Sequence, residues 1–301
     1  MNQPWPADAI LKEIWASRIA SYVWLSGLVV LTYDTISTFP REVTHIWSMR
    51  TTGWSVPNTL YLFLRYLGLF QAVIYTTAYS TVQTSIKRCQ IFFVFSLSIG
   101  SNNVLLLTVN VILGLRLYAL YGRSPKVILF LSLLFFGEFV AILYAGIVAG
   151  VSVVQATFLA PPDTPILGCL TAPDIPGGVY FGWTYSIIVS VICFLMTIAK
   201  FVEFTLDARR AGWRIRFPPL VKAFVQDGTV YFLAVAVTQI AGLINCSLVV
   251  GPFIVLYEPW IVVSYVVAGS RLILNLREAG LRDGLPGDST FNSVLRELET
   301  G

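Results

Sequence analysis

The residues able to do chemistry are few, and most stand where a charge is costly. Asp34, Arg65 and Glu138 lie inside long apolar runs, and Glu42 follows the first run closely. An ionisable side chain inside a membrane-crossing helix is a functional-site hypothesis whose partner must be named. Asp34 stands about five residues from the far end of the first run, and Arg65 about seven from the near end of the second. Those separations are rises of ~7.5 Å and ~10 Å along a helix. Two helices joined by one loop therefore carry Asp34 and Arg65 to similar depth. An Asp34–Arg65 ion pair is expected, with Glu42 as the competing partner. Such a pair either locks two helices together or acts as a switch that breaks on activation, and removing one member strands the other charge. Glu138 falls near the middle of the fourth run and Asn103 near the middle of the third. A lone carboxylate in hydrocarbon keeps its proton. Glu138 can then donate to Asn103 or Asn110, which lie seven residues apart on one helix face. The contact serves as interhelical glue or as a ligand or proton site.

Other chemistry is sparse. His45 is the single histidine, so bis-histidine haem ligation and a histidine-rich metal site are excluded within the chain. There is no HExxH, no GxSxG and no cluster of carboxylates. No enzymatic activity and no cofactor are expected. The four cysteines, Cys89, Cys169, Cys193 and Cys246, form no CxxC and are too few for a disulfide scaffold.

The elements that must position these residues follow from composition. Of 301 residues, 56% are hydrophobic and 12% charged, with a mean hydropathy of +0.75. Soluble domains carry about 25% charged residues. A water-soluble enzyme, a disordered chain and a nucleic-acid-binding domain are excluded, and the lipid bilayer is the first partner. A helix needs about 20 apolar residues to cross the hydrocarbon. Seven runs qualify, at 17–39, 58–80, 91–116, 127–150, 179–202, 229–250 and 253–274. They are longer than the alternating segments of about ten residues that build membrane barrels, so the fold class is an all-α bundle of seven transmembrane helices. The prolines at 57, 125, 218, 219 and 252 fall between runs, whereas Pro259 lies inside the seventh and should kink it. Gly146/Gly150 and Gly178/Gly182 have the spacing of close helix crossings. Residues 1–16 form an outer N-terminus, 17–274 the bundle and 275–301 a cytoplasmic tail. That tail can form a short amphipathic helix near Leu276–Leu281 and carries hydroxyls in DSTFNS. The polar, acidic start is unlike a cleavable signal, and the first run is expected to stay as a span.

Orientation follows from the basic residues, which crowd cytoplasmic loops. With the N-terminus outside and the C-terminus cytoplasmic, 15 lysines and arginines fall on inner segments and 4 on outer ones. Cys89 and Cys169 then both face an oxidising compartment, where a disulfide persists; two separate thiols are the alternative. Cys193 and Cys246 lie within spans as small packing residues. The most basic inner loop, with Arg209, Arg210, Arg214 and Arg216, either touches anionic lipid or docks a cytoplasmic signalling protein.

The segment YDTISTFPREVTHIWSMR (33–50) with LRYLGL (64–69) resembles a motif of a membrane-protein family of mushroom-forming fungi, domain of unknown function 6533. The matching residues are Tyr33, Asp34, Thr38, Arg41, Glu42, Val43, Ile46, Trp47, Arg65 and Tyr66, within a region of about 22–70, and LRLYALYGR (115–123) is similar to the family's end of span three. The resemblance implies a multi-pass membrane protein and brings no catalytic residues. The seven-span plan favours a receptor-like sensor similar to G-protein-coupled receptors, placed in the plasma membrane. Span three, however, ends Leu115-Arg116-Leu117-Tyr118 without an acidic-Arg-aromatic triplet. Span seven lacks Asn-Pro-x-x-Tyr and has no lysine for retinal. The alternatives are a small-solute or proton transporter using Glu138, Asn103 and Gln239, and a non-catalytic structural membrane protein.

Overall fold

The computed structural model describes residues 7–47, 56–82, 85–97, 101–161, 164–171, 177–210, 219–249 and 252–282. The seven apolar runs fall on eight α-helices. These are α1 (Ala7–Glu42), α2 (Val56–Ser80), α3 (Ile86–Leu97), α4 (Ser101–Leu120), α5 (Pro125–Gln155), α6 (Gly177–Arg210), α7 (Pro219–Leu248) and α8 (Glu258–Arg282). Among the described residues, five helical stretches are long and apolar enough to cross a membrane. They are Ile10–Trp47, Asn102–Leu120, Pro125–Gln155, Gly177–Glu203 and Glu258–Glu278.

Three boundaries differ from the sequence reading. The third run carries two described helices, α3 and α4, and residues 98–100 between them lie outside the described residues. Pro259 does not kink a helix interior. A 3₁₀ turn, Pro252–Tyr257, precedes α8, and Pro259 is the second residue of that helix, where the missing N–H has no intrahelical partner to lose. The stretch Leu276–Leu281 is no separate helix either, because α8 continues through it to Arg282. In α1 the proline that matters is Pro40. It withdraws one i→i−4 hydrogen bond, and the chain passes into a five-residue π-turn, Val43–Trp47.

The helices close into a ring, with α8 packed against α1, α2, α4 and α7. The core runs along α4 and α8 through Leu105, Val109, Leu113, Leu117, Leu272 and Leu274. Gly68 lets α2 approach Val266 of α8, and Gly269 of α8 receives Leu64 of α2; a Cβ at either glycine would overlap that neighbour. At the Gly178/Gly182 pair, a Cβ on Gly182 would meet that of Ala145 on α5 at 2.5 Å. This is the close approach that small residues permit.

One end of the bundle is organised by a disulfide, Cys89–Cys169, across 80 residues of sequence. A two-stranded antiparallel pair, Thr157–Phe158 with Leu170–Thr171, shapes the connection carrying Cys169. Gly168 turns there at φ +75°, a conformation that favours glycine. Its N–H donates to the Thr81 carbonyl at 2.9 Å, and the Leu167 N–H donates to Ser17 Oγ at 3.2 Å. The connection is thereby tied to α1, α2 and α3. Beneath it Trp24 stacks on Tyr79 with ring centroids 5.7 Å apart.

Candidate functional site

Polar chemistry gathers in three places along the bundle. The first is at the end opposite the disulfide. Successive residues turn by about 100° around an α-helix, so Thr35, Thr38 and Glu42 share one face of α1, while Asp34 and Arg41 share another. The first face meets α2. Arg65 Nε lies 3.1 Å from Glu42 Oε2, with both side chains almost fully buried. Arg65 also donates to Thr38 Oγ1 at 2.5 Å and to the Thr35 carbonyl at 2.8 Å. Beside this ion pair Glu42 accepts three hydrogen bonds, from Tyr61 at 3.1 Å, Tyr66 at 2.9 Å and the Trp47 indole at 2.9 Å. The π-turn's i→i+5 register sets Trp47 over Glu42.

The second face of α1 meets α8. Arg271 donates to Asp34 Oδ1 from Nε at 2.9 Å and pairs with it through Nη2 at 2.7 Å. Arg41 reaches Asn275 at 2.9 Å and Glu278 at 2.5 Å. The expected Asp34–Arg65 pair is therefore replaced by two pairs. Arg65 touches only the backbone carbonyl of Asp34, at 3.5 Å, and takes Glu42 as its carboxylate. The reason is rotational. Asp34 and Arg65 share a depth, but the Asp34 side chain leaves α1 about 100° away from Thr35, on the side that meets α8.

The second place is the middle of the bundle. Glu138 of α5 is 2% exposed and accepts at both oxygens, from Asn110 of α4 at 2.6 Å and from Ser186 of α6 at 2.5 Å. The sequence reading cast Glu138 as the donor; here it is the acceptor. Asn103, Asn110 and Glu138 also line a cavity of about 300 Å³ between α4 and α5. The polar line continues from Ser190 to Gln239 at 3.0 Å and from Gln239 to Tyr265 at 3.3 Å, joining α6, α7 and α8.

The third place is a cavity of about 260 Å³ at the disulfide end, reached by α3 through α8, by Tyr79 of α2 and by Thr171 beside Cys169. Asn102, Asn103 and Ser186 supply polar groups, and Gln71 donates to Asn102. Trp183, Tyr257 and Tyr265 supply aromatic surface. Gly242 makes room for two of these rings: a Cβ there would stand 2.7 Å from the Trp183 ring and 3.2 Å from that of Tyr257. Glu258, the first residue of α8, brings a carboxylate into the lining.

Residues 22–70 match the family model of DUF6533, a family of unknown function. No curated protein matches the chain. The matched stretch holds Asp34, Thr38, Glu42 and Arg65, the centre of the charge network. Its other partners, Arg271, Asn275 and Glu278, lie far outside it on α8.

Sequence reasoning missed several of these residues. Ser186, Ser190 and Thr197 form a buried small-residue stripe on α6 with Cys193, which was read as a packing residue; their spacings of four, three and four mark one helix face, a readable signal. Arg271, Asn275 and Glu278 repeat the same spacing on α8 and could have been matched to Asp34 and Arg41. Nothing in the sequence alone places Glu258 in a cavity. Of the basic loop, Arg209 and Arg210 close α6, while Arg214 and Arg216 lie outside the described residues.

Proposed function

We propose that this protein is a seven-span, receptor-like membrane sensor that binds a small molecule in the cavity at its disulfide end. In this reading α3 and α4 together make the third crossing. The N-terminus and the disulfide face the exterior of a plasma-membrane protein. The C-terminus and the loop of Arg209, Arg210, Arg214 and Arg216 face the cytoplasm, where a signalling protein docks.

The single observation that carries the reading is the cavity of about 260 Å³. Small-molecule sites are concave, mostly apolar spaces of about 300–1,000 Å³ with a few placed polar groups, so the occupant is small. Beyond the cavity the bundle axis is filled by Leu64, Val109, Ile112, Leu113 and Leu272. A lined cavity above this packed core suits recognition better than a continuous pore, and the transporter reading is the weaker one.

The test is a thermal-shift screen of small aromatic alcohols and amines against protein in lipid nanodiscs. Ala149 lines the cavity, and Ala149→Trp fills it. The expected result is compounds that raise the melting midpoint of the native protein and leave Ala149→Trp unmoved. A panel in which every shift persists in Ala149→Trp, or in which no compound shifts the native protein, overturns the reading.

A further inference from the structure

Glu258 has a place in the fold that the charge networks do not explain. Four other carboxylates within the bundle have partners: Glu42 with Arg65, Asp34 with Arg271, Glu278 with Arg41, and Glu138 with Asn110 and Ser186. Glu258 has no hydrogen-bond or ion-pair partner among the described residues, although it lines the cavity. Among the described lining residues it is the only one with a formal charge; no lysine, arginine or histidine faces it there. The same wall carries Tyr79, Trp183, Tyr257 and Tyr265.

We infer that Glu258 is the counter-ion of a cationic ligand, and that the cavity takes a small amine bearing an apolar or aromatic body. This rests on the sensor reading above and adds the ligand's chemical class to it. Glu258 is half-buried; a carboxylate in such a place either keeps its proton or is held ionised by an opposite charge or by strong hydrogen bonds, and the cavity lining supplies no cation. An ammonium group supplies both the charge and N–H donors, and charge-assisted hydrogen bonds are about twice as strong as neutral ones. The aromatic rings work in the same direction, because their faces attract a cation by about 0.5–2 kcal/mol each when it lies close over them. An anionic ligand would meet Glu258 with no compensating base. A neutral alcohol fills the same space but brings no opposite charge to the carboxylate. The cavity volume limits the body to about one aromatic ring with a short chain, a size just below that of drug-like ligands.

The test compares phenethylammonium with 2-phenylethanol, which match in shape and differ in charge, by calorimetric titration of the full chain in nanodiscs. The native protein should bind the amine at least about tenfold more tightly than the alcohol, the scale of one hydrogen bond to a charged group. Glu258→Gln should abolish that preference while the alcohol still binds, which also shows that the variant is folded. Glu258→Asp should retain part of the preference. Equal binding of amine and alcohol by the native protein, or a preference that survives Glu258→Gln, overturns the counter-ion while leaving the cavity reading intact. Binding of both compounds that persists in Ala149→Trp overturns the cavity reading, and binding of neither overturns this inference.

Discussion

Arg65→Ala and Glu42→Ala are each expected to abolish accumulation of folded protein. The Arg65 side chain is 1% exposed and that of Glu42 0%, so neither stranded charge can turn to water. Breaking a buried pair by removing one partner costs about 3–5 kcal/mol, a large fraction of the about 5–15 kcal/mol that holds a typical domain together. Glu42 has the more damaging loss, because Tyr61, Tyr66 and Trp47 lose their acceptor along with Arg65. The paired change Arg65→Met with Glu42→Gln should recover folded protein relative to Arg65→Ala, since no charge remains and the glutamine oxygen still accepts from the ring donors. Asp34→Asn should be milder than either single change. Its partner Arg271 is 46% exposed and has a long apolar stem that lets the guanidinium reach the interface. Size-exclusion profiles and surface labelling of the five proteins decide the matter. Normal yield of Arg65→Ala, or damage from Asp34→Asn equal to that from Glu42→Ala, would contradict the pairing.

The second large effect concerns the disulfide. Cys89 and Cys169 tie α3 to the connection that carries Thr171 into the cavity wall. Cross-linking removes closure entropy from the unfolded chain, and removing a native bridge typically costs about 2–5 kcal/mol. Loss of the bridge should also loosen the connection held by the Gly168 and Leu167 hydrogen bonds. Cys89→Ser and Cys169→Ser should lower the melting midpoint to a similar extent, and the double variant should be no worse than either single one. Reductant should lower the native midpoint and leave the variants unchanged. A bridge contribution would be refuted by a reductant effect of equal size on native protein and double variant.

Much of this architecture could be read before any coordinates, because hydropathy is a local property. Among the described residues each apolar run carries α-helix, and the cysteines brought together were the two assigned to one side of the bilayer. What failed was the pairing of charges, which needs rotation about a helix axis and partners far along the chain. Asp34 and Arg65 were matched by depth alone; the extra 100° that separates Asp34 from Thr35 sends it to Arg271, a residue 237 positions away. Pro259 was read as a kink because the apolar pattern runs unbroken through Pro252–Tyr257, and only the backbone shows that a 3₁₀ turn ends before Glu258. Glu138 was located correctly, yet one of its two donors, Ser186, sits on a helix whose facing could not be derived from neighbouring loops. The cavity is the least legible feature, since its lining comes from seven helices at once.

The account stands most directly on how the chain threads the bilayer, because the cavity, the disulfide and the arginine-rich loop take their roles from the sides they face. Epitope tags at the two ends, probed by antibody in intact and then in permeabilised cells, measure this. The account predicts that the N-terminal tag is labelled in intact cells and the C-terminal tag only after permeabilisation. Simultaneous labelling of both ends in intact cells, or labelling of the C-terminal tag alone, would contradict it.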